Sequence, residues 1–313
     1  MDKVVRSLHH VTATVDDAQQ DVDFYVKALG MRLVKKTVNF DNHNVYHFYY
    51  GDEQGHPNTL MTTFPYKGWG VPVGTHGAGQ VTVTSFSVPQ GSLDAWRTRL
   101  RGVGYNVRDV GERFGDEVLA FDDPSGLVIE LIANRDDDRG PWVSEGLTSE
   151  VAVRGLYGAS LAIRNPAPTI QFLTEILGWD VVNEEEGRTR LAVNGDLPGH
   201  RIEVLHAPNA PAAVNGLGTV HHIAMAVSDE EEQLKLRAEL VGLGLQVTPV
   251  MDRQYFRSIY FREPGGVLYE VATIPPGFTV DEDVSSLGLD LKLPPWEEPN
   301  RPVIEKGLAT VTY

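Results

Sequence analysis

Histidine occurs twice as an adjacent pair, His9-His10 and His221-His222, and each pair opens a run that alternates in character. The runs are Leu8-His9-His10-Val11-Thr12-Ala13-Thr14-Val15 and Val220-His221-His222-Ile223-Ala224-Met225-Ala226-Val227. Such alternation is the mark of a half-buried strand, so four of the ten histidines stand at matching positions of two strands. One glutamate-bearing hairpin, ending in Glu270, accompanies them. Two imidazoles and one carboxylate on matching strands make a three-ligand metal site with vacant coordination positions, a set that suits a non-haem Fe(II) oxygenase.

Successive side chains of a strand point to opposite faces, so one member of each histidine pair should be the ligand; the spacing does not say which. Read as a hairpin turn, Pro264-Gly265-Gly266 puts Tyr260 opposite Glu270 on the same sheet face. Glu130 and Glu203 also sit on strands, but Val81–Ser87 and Tyr157–Ile163 hold no histidine, so both glutamates read as structural or solvated. The strand Thr59-Leu60-Met61-Thr62-Thr63 supplies no carboxylate. His43, His47, His56, His76, His200 and His206 read as ordinary loop or strand residues. His43 and His47 have ligand spacing for a helix, yet Tyr46–Tyr50 reads as a strand.

The elements that must position these residues recur. A unit of one strand, one helix and three strands repeats four times, over about 6–65, 78–133, 154–207 and 218–274. In the first unit Asp17 can cap a helix from Ala18 to Leu29, and Gly30 can end it. In the fourth, Ser228-Asp229-Glu230-Glu231 reads as a capping box. The fold class is α+β, built from four βαβββ modules. Residues 1–145 form an N-terminal pair of modules, and 146–313 form a C-terminal pair with a tail.

With 313 residues, 42% hydrophobic and 22% charged, the chain has the balance of a soluble protein with sizeable cores. The net charge of −16 repels phosphate backbones and anionic lipids, which argues against nucleic-acid or membrane partners. No apolar run is long enough to span a bilayer, and Met1-Asp2-Lys3 lacks the apolar core of a signal peptide. Without cysteine there is no disulfide framework and no thiolate ligand. A cytoplasmic location is expected, and apolar faces left over from the sheets favour a homo-oligomer.

This organisation resembles the vicinal oxygen chelate superfamily, which includes glyoxalase I, extradiol dioxygenases and antibiotic-resistance proteins. The resemblance implies two pseudo-symmetric curved-sheet barrels. In detail the chain resembles the hydroquinone-type ring-cleaving dioxygenases, through Leu8-His9-His10-Val11-Thr12, Tyr46-His47-Phe48-Tyr49, Met61-Thr62-Thr63-Phe64-Pro65, Arg113-Phe114-Gly115 and Pro264-Gly265-Gly266-Val267. The likeness continues through Gly277-Phe278-Thr279, Asp281-Glu282, Leu287-Gly288 and Leu293-Pro294-Pro295-Trp296. It implies that His10, His222 and Glu270 are the ligands. His9 and His221 would stand behind them and move protons. Thr12, Arg253 and Tyr260 would lie near the substrate, Tyr260 bonding its bound oxygen and Arg253 stabilising negative charge. Modules one and four would share the metal cavity, with two and three as an empty companion. The implied reaction is Fe(II)-dependent opening of a hydroquinone, with or without a halogen or alkyl group, by O2. Mn(II) or another divalent ion could substitute, and no organic cofactor is expected. A glyoxalase-like isomerase would need carboxylates from two modules. A small-molecule-sequestering module would need no metal.

Overall fold

The computed structural model describes residues 4–144 and 146–313. The expected boundary residue Glu145 and the leader reading at Met1–Lys3 lie outside them. The same order of elements runs four times. The first module comprises β1 (Ser7–Val15), α1 (Ala18–Val22), β2 (Arg32–Asn39), β3 (Asn42–Gly51) and β4 (Leu60–Pro65). The second has β5 (Gln80–Pro89), α2 (Leu93–Gly102), β6 (Arg108–Arg113), β7 (Asp116–Asp122) and β8 (Val128–Asn134). The third has β9 (Gly155–Ile163), α3 (Pro166–Glu175), β10 (Asp180–Glu185), β11 (Arg188–Ala192) and β12 (Arg201–His206). The fourth has β13 (Thr219–Val227), α4 (Glu230–Gly242), β14 (Met251–Asp252), β15 (Arg257–Arg262) and β16 (Leu268–Thr273).

The strands form two curved sheets of eight, ordered β14-β15-β16-β13-β1-β4-β3-β2 and β10-β11-β12-β9-β5-β8-β7-β6. Each sheet therefore joins one module from each half of the chain, the first with the fourth and the second with the third. At both centres the modules' first strands pair antiparallel, β1 with β13 and β5 with β9, and each pairing carries two register shifts. In the first sheet the extra residues are His9 on β1 and His221 on β13, since Leu8 and His10 pair with Met225 and Ala224 while Thr12 and Ala13 pair with His222 and Val220. A bulge bends the strand and re-aims the side chains on either side of it. That is how two adjacent imidazoles come to meet.

The apolar core lies against the helices, around Phe24, Trp96, Phe121, Leu173, Trp179 and Tyr269, all but inaccessible to solvent. Asp17 caps α1 by accepting from the Gln20 N–H, and the helix continues as a π-helical stretch over Asp23–Ala28. Gly30 sits at φ +69°, and a Cβ there would lie 2.2 Å from Leu147. The capping box of the fourth module falls one residue later than Ser228 predicts. Asp229 is the cap and accepts from the Glu232 N–H, while the Glu232 carboxylate reaches back to the Ser228 N–H. An extended Asp229 backbone, at φ −159°, starts the helix there.

The companion sheet is not empty. Glu130 takes two hydrogen bonds from Arg113, and Glu203 meets Arg113, Arg188 and Arg190, with both carboxylates buried. Glu203 pairs with Ser160 on β9 as Glu270 pairs with Ala224 on β13, so it is the pseudo-symmetric counterpart of Glu270. Where His222 stands two residues before Ala224, β9 has Gly158. With no imidazole to share it, this carboxylate is neutralised by guanidinium groups.

The tail straps the outer side of β2 and β3. Lys35, fully buried, is held by Asp281 at 2.5 Å and by Glu282. Phe40 packs edge-on against Trp296, and Glu297 accepts from His43 at 3.0 Å before α5 (Arg301–Gly307) closes the chain.

Candidate metal centre

β1, β13 and β16 lie side by side, and His10, His222 and Glu270 project from them into one cavity. His10 Nε2 lies 3.3 Å from His222 Nε2 and 3.3 Å from Glu270 Oε2, and His222 Nε2 lies 2.7 Å from Glu270 Oε2. All three side chains are buried. Donors bound about 2.1 Å from one ion at mutual right angles would stand about 3 Å apart, so this triangle fits one face of an octahedral coordination sphere. Among the described residues this is the one group of three or more such side chains whose donor atoms converge within 4.8 Å. Glu270 Oε2 is buried without a hydrogen-bond donor of ordinary geometry, whereas Oε1 accepts from the Ser258 hydroxyl. Burial alone would raise the Glu270 carboxyl pKa, but the neighbouring His10 and His222 outweigh it and hold it well below the usual range. A preformed carboxylate with one oxygen spare, facing two imidazole nitrogens, could hold a divalent metal ion.

The bulges give His10 and His222 a partner each. His9 Nδ1 lies 2.9 Å from His10 Nδ1, and His221 Nδ1 lies 2.8 Å from His222 Nδ1. Each such pair needs one donor and one acceptor; with His10 and His222 donating from Nδ1–H, their Nε2 atoms carry lone pairs that could bind an ion. Burial, and then the adjacent histidine, pull the pKa of both His9 and His221 down to about 3. Both rings are therefore held in the neutral form, in which each keeps one N–H and one acceptor nitrogen. His221 lines the cavity; His9 lies behind its wall.

Tyr260 pairs directly with Glu270 across β15 and β16, as the hairpin reading predicts. Its hydroxyl accepts from Arg253 Nε at 3.1 Å, and Arg253 Nη2 donates to Asp41 at 3.0 Å. Burial and Glu270 raise the Tyr260 pKa, so the phenol stays protonated. Burial would lower the Arg253 pKa, but Tyr260 and Asp41 raise it further, so the guanidinium stays charged. Both residues line the cavity, whose volume is about 230 Å³.

Thr12 does not reach that wall. It is fully buried, and its hydroxyl lies 2.7 Å from Thr62 Oγ1. Thr62 in turn lies 3.0 Å from His47 Nε2, and the Tyr49 hydroxyl lies 2.9 Å from His47 Nδ1. His47, read from sequence as an ordinary strand residue, is a cavity wall held neutral by burial. The internal repeat was the signal that could have found it. Tyr49 pairs with Thr62 as Tyr260 pairs with Glu270, so His47 and Ser258 occupy matching places two residues earlier on β3 and β15.

The chain is similar to known proteins along nearly its whole length. A Bacillus subtilis (strain 168) protein named "Putative ring-cleaving dioxygenase MhqO" is 42% identical over 308 residues, covering 98% of this chain and 97% of its own length. The chlorohydroquinone/hydroquinone 1,2-dioxygenase of Sphingobium indicum is 37% identical over 299 residues, covering 93% of this chain and 92% of its own. A crystal structure from Bacillus subtilis subsp. subtilis str. 168 superposes with a TM-score of 0.94 at 41% identity, covering 99% of this chain and 98% of that one. The family profile matches residues 7–131 and 156–271, one span in each half of the repeat. The matched spans and the near full-length likeness to these relatives show that the chain belongs to the Glyoxalase/Bleomycin resistance protein/Dioxygenase superfamily.

Proposed function

We propose that this protein is a ring-cleaving dioxygenase that opens a hydroquinone with O2, using Fe(II) held by His10, His222 and Glu270. The observation that carries the reading is the His10–His222–Glu270 triangle facing a 230 Å³ cavity. Relatives named for ring cleavage and for hydroquinone, matching nearly end to end, support it. A bound ferrous ion would supply the redox chemistry that lets O2 react with an aromatic ring.

The chain's own residues prepare the rest. Ser258 engages one oxygen of Glu270 and leaves the other for the metal. Arg253 Nε–H occupies a lone pair of the Tyr260 oxygen, so the phenolic proton is free to be donated to an oxygen of the substrate. The cationic Arg253 stands by to stabilise negative charge that builds on the opened ring. His47 has both ring nitrogens engaged, and so offers the substrate a flat wall rather than a proton. Phe40, Phe64 and Phe256 complete apolar walls suited to a planar ring.

The test is anaerobic loading with Fe(II), then an oxygen-electrode assay with hydroquinone, chlorohydroquinone, methylhydroquinone and catechol. Oxygen uptake with the hydroquinones, and much less with catechol, is the expected result. An iron-loaded protein that consumes no oxygen with any of them would sink the reading.

A further inference from the structure

Behind the metal donors lies a second cavity of about 290 Å³, unrelated to the mouth beside Arg253 and Asp41. Pro57, Tyr255, Ile274, Pro275 and Phe278 make its lining largely apolar. His9 and Phe256 form the side that faces the metal site. Phe256 also lines the front cavity, so one aromatic ring separates the two spaces. Its centroid is 5.4 Å from that of His10 and 5.0 Å from that of His9. Phe256 lies outside the sheet, in the short turn between β14 and β15 where Gln254 has φ +64°. Its own backbone carbonyl is held by the Arg253 N–H at 3.0 Å, and its ring, buried against His9 and His10, would have to turn aside to join the two spaces.

We propose that this rear cavity is a separate route by which O2 reaches the site, with Phe256 as its movable wall. The inference rests on the dioxygenase reading given above. A ring substrate that enters past Arg253 and Asp41 fills the front cavity and blocks the path it used. The rear cavity opens to solvent past the exposed Gln54, His56 and Thr279, and O2, small and apolar, can pass from there toward the buried rings of Phe256 and Phe278. A rear route admits O2 after the ring is seated. Gln54, His56 and Thr279 are exposed, whereas Phe256 and Phe278 of the same cavity are buried.

Two plugs test the route without touching the front wall. Ile274→Trp and Thr279→Trp both fill the rear cavity from residues that do not line the front one. Xenon-pressurised crystals of the wild-type protein should show the gas against Phe256, and either plug should exclude it. In the Fe(II)-loaded protein the plugs should lower kcat/KM for O2 by about fivefold or more, with the anaerobic dissociation constant for hydroquinone within about twofold of wild type. Phe256→Leu should raise kcat/KM for O2. Absence of xenon from the wild-type cavity, or an unmoved kcat/KM for O2 in both plugged variants, overturns the route. No oxygen uptake by the wild-type protein removes the dioxygenase reading and this inference with it, whereas uptake with unmoved O2 dependence removes this inference alone.

Discussion

Ser258 decides how much of the Glu270 charge is available to an ion. Its hydroxyl binds Oε1 in a fully buried setting, and among the described residues no donor reaches Oε2 with ordinary hydrogen-bond geometry. Partners of this kind fix a ligand's orientation, and losing one typically costs about 10–100-fold in metal affinity. Ser258→Ala should therefore weaken Fe(II) binding by about 10–100-fold in a chelator competition, with the circular dichroism spectrum unchanged. Wild-type affinity in that variant would mean that the sheet alone aims the carboxylate. Arg253 offers a second test, because it serves Tyr260 and Asp41 from two different nitrogens of one planar group. A lysine presents a single ammonium and cannot hold both partners at those positions. Arg253→Lys should lower kcat/KM for hydroquinone by about tenfold or more while iron stoichiometry is preserved. The cleanest comparison is Glu203, the pseudo-symmetric twin of Glu270. Glu203→Gln should leave iron binding intact, even though it unbalances its arginine cluster; loss of iron there would contradict the choice of sheet.

Among the elements, α1 carries the clearest pH signature. Asp21 on its buried face accepts from the Tyr50 hydroxyl at 2.7 Å and the Thr63 hydroxyl at 2.5 Å, tying the helix to β3 and β4. Burial outweighs those bonds and raises the Asp21 pKa to about 8, with Asp123 nearby adding to the rise. Asp123 is itself pushed up to about 7 by burial. A carboxyl whose folded pKa exceeds its unfolded value contributes its full stabilisation below about pH 4, and loses it as pH climbs through the folded pKa. Asp21→Asn keeps an acceptor for Tyr50 and Thr63 and cannot ionise. The difference in Tm between variant and wild type should move in the variant's favour by a few °C from pH 5 to pH 8. A constant difference would show that Asp21 does not titrate in that window. Period-two runs and helix caps made the four modules legible from sequence, down to Tyr260 facing Glu270. The failures were local. One-residue bulges at His9 and His221 leave no trace in an alternating pattern, so the contact between adjacent imidazoles was hidden. Thr12 shares the strand of His10 but spends its hydroxyl on Thr62, and His47 looked ordinary because its role depends on β4 beside it. The Ser228 box slipped by one because an aspartate follows a serine, and either can cap a helix.

At the scale of the whole molecule, one sheet design is used twice with opposite contents. The first sheet gathers His10, His221, His222 and Glu270 around a cavity; the second fills the matching volume with paired arginines and glutamates. The tail then packs on the first sheet. Asn39, Phe40 and Asp41, at the β2–β3 tip, line the cavity, and the tail backs that tip through Trp296 and Glu297. Its anchor is Lys35, a fully buried ammonium bound by Asp281 and Glu282, with Asp281 also accepting from Tyr255 at 3.0 Å. Stripping a buried charge of its partners costs about 3–5 kcal/mol, whereas replacing the whole set by apolar or neutral groups is often close to neutral. The double change Asp281→Asn with Glu282→Gln should therefore lower the urea midpoint by an amount equal to about 3–5 kcal/mol and open residues 275–300 to limited proteolysis. Adding Lys35→Met to that pair should restore most of the midpoint, because the uncompensated charge is then gone. The triple variant should still show a raised KM for hydroquinone, since the tip that carries Asp41 toward Arg253 has lost its tether while the three metal donors keep theirs. If the triple variant instead regains wild-type KM together with stability, the tail is a structural clasp with no hold on the mouth of the cavity.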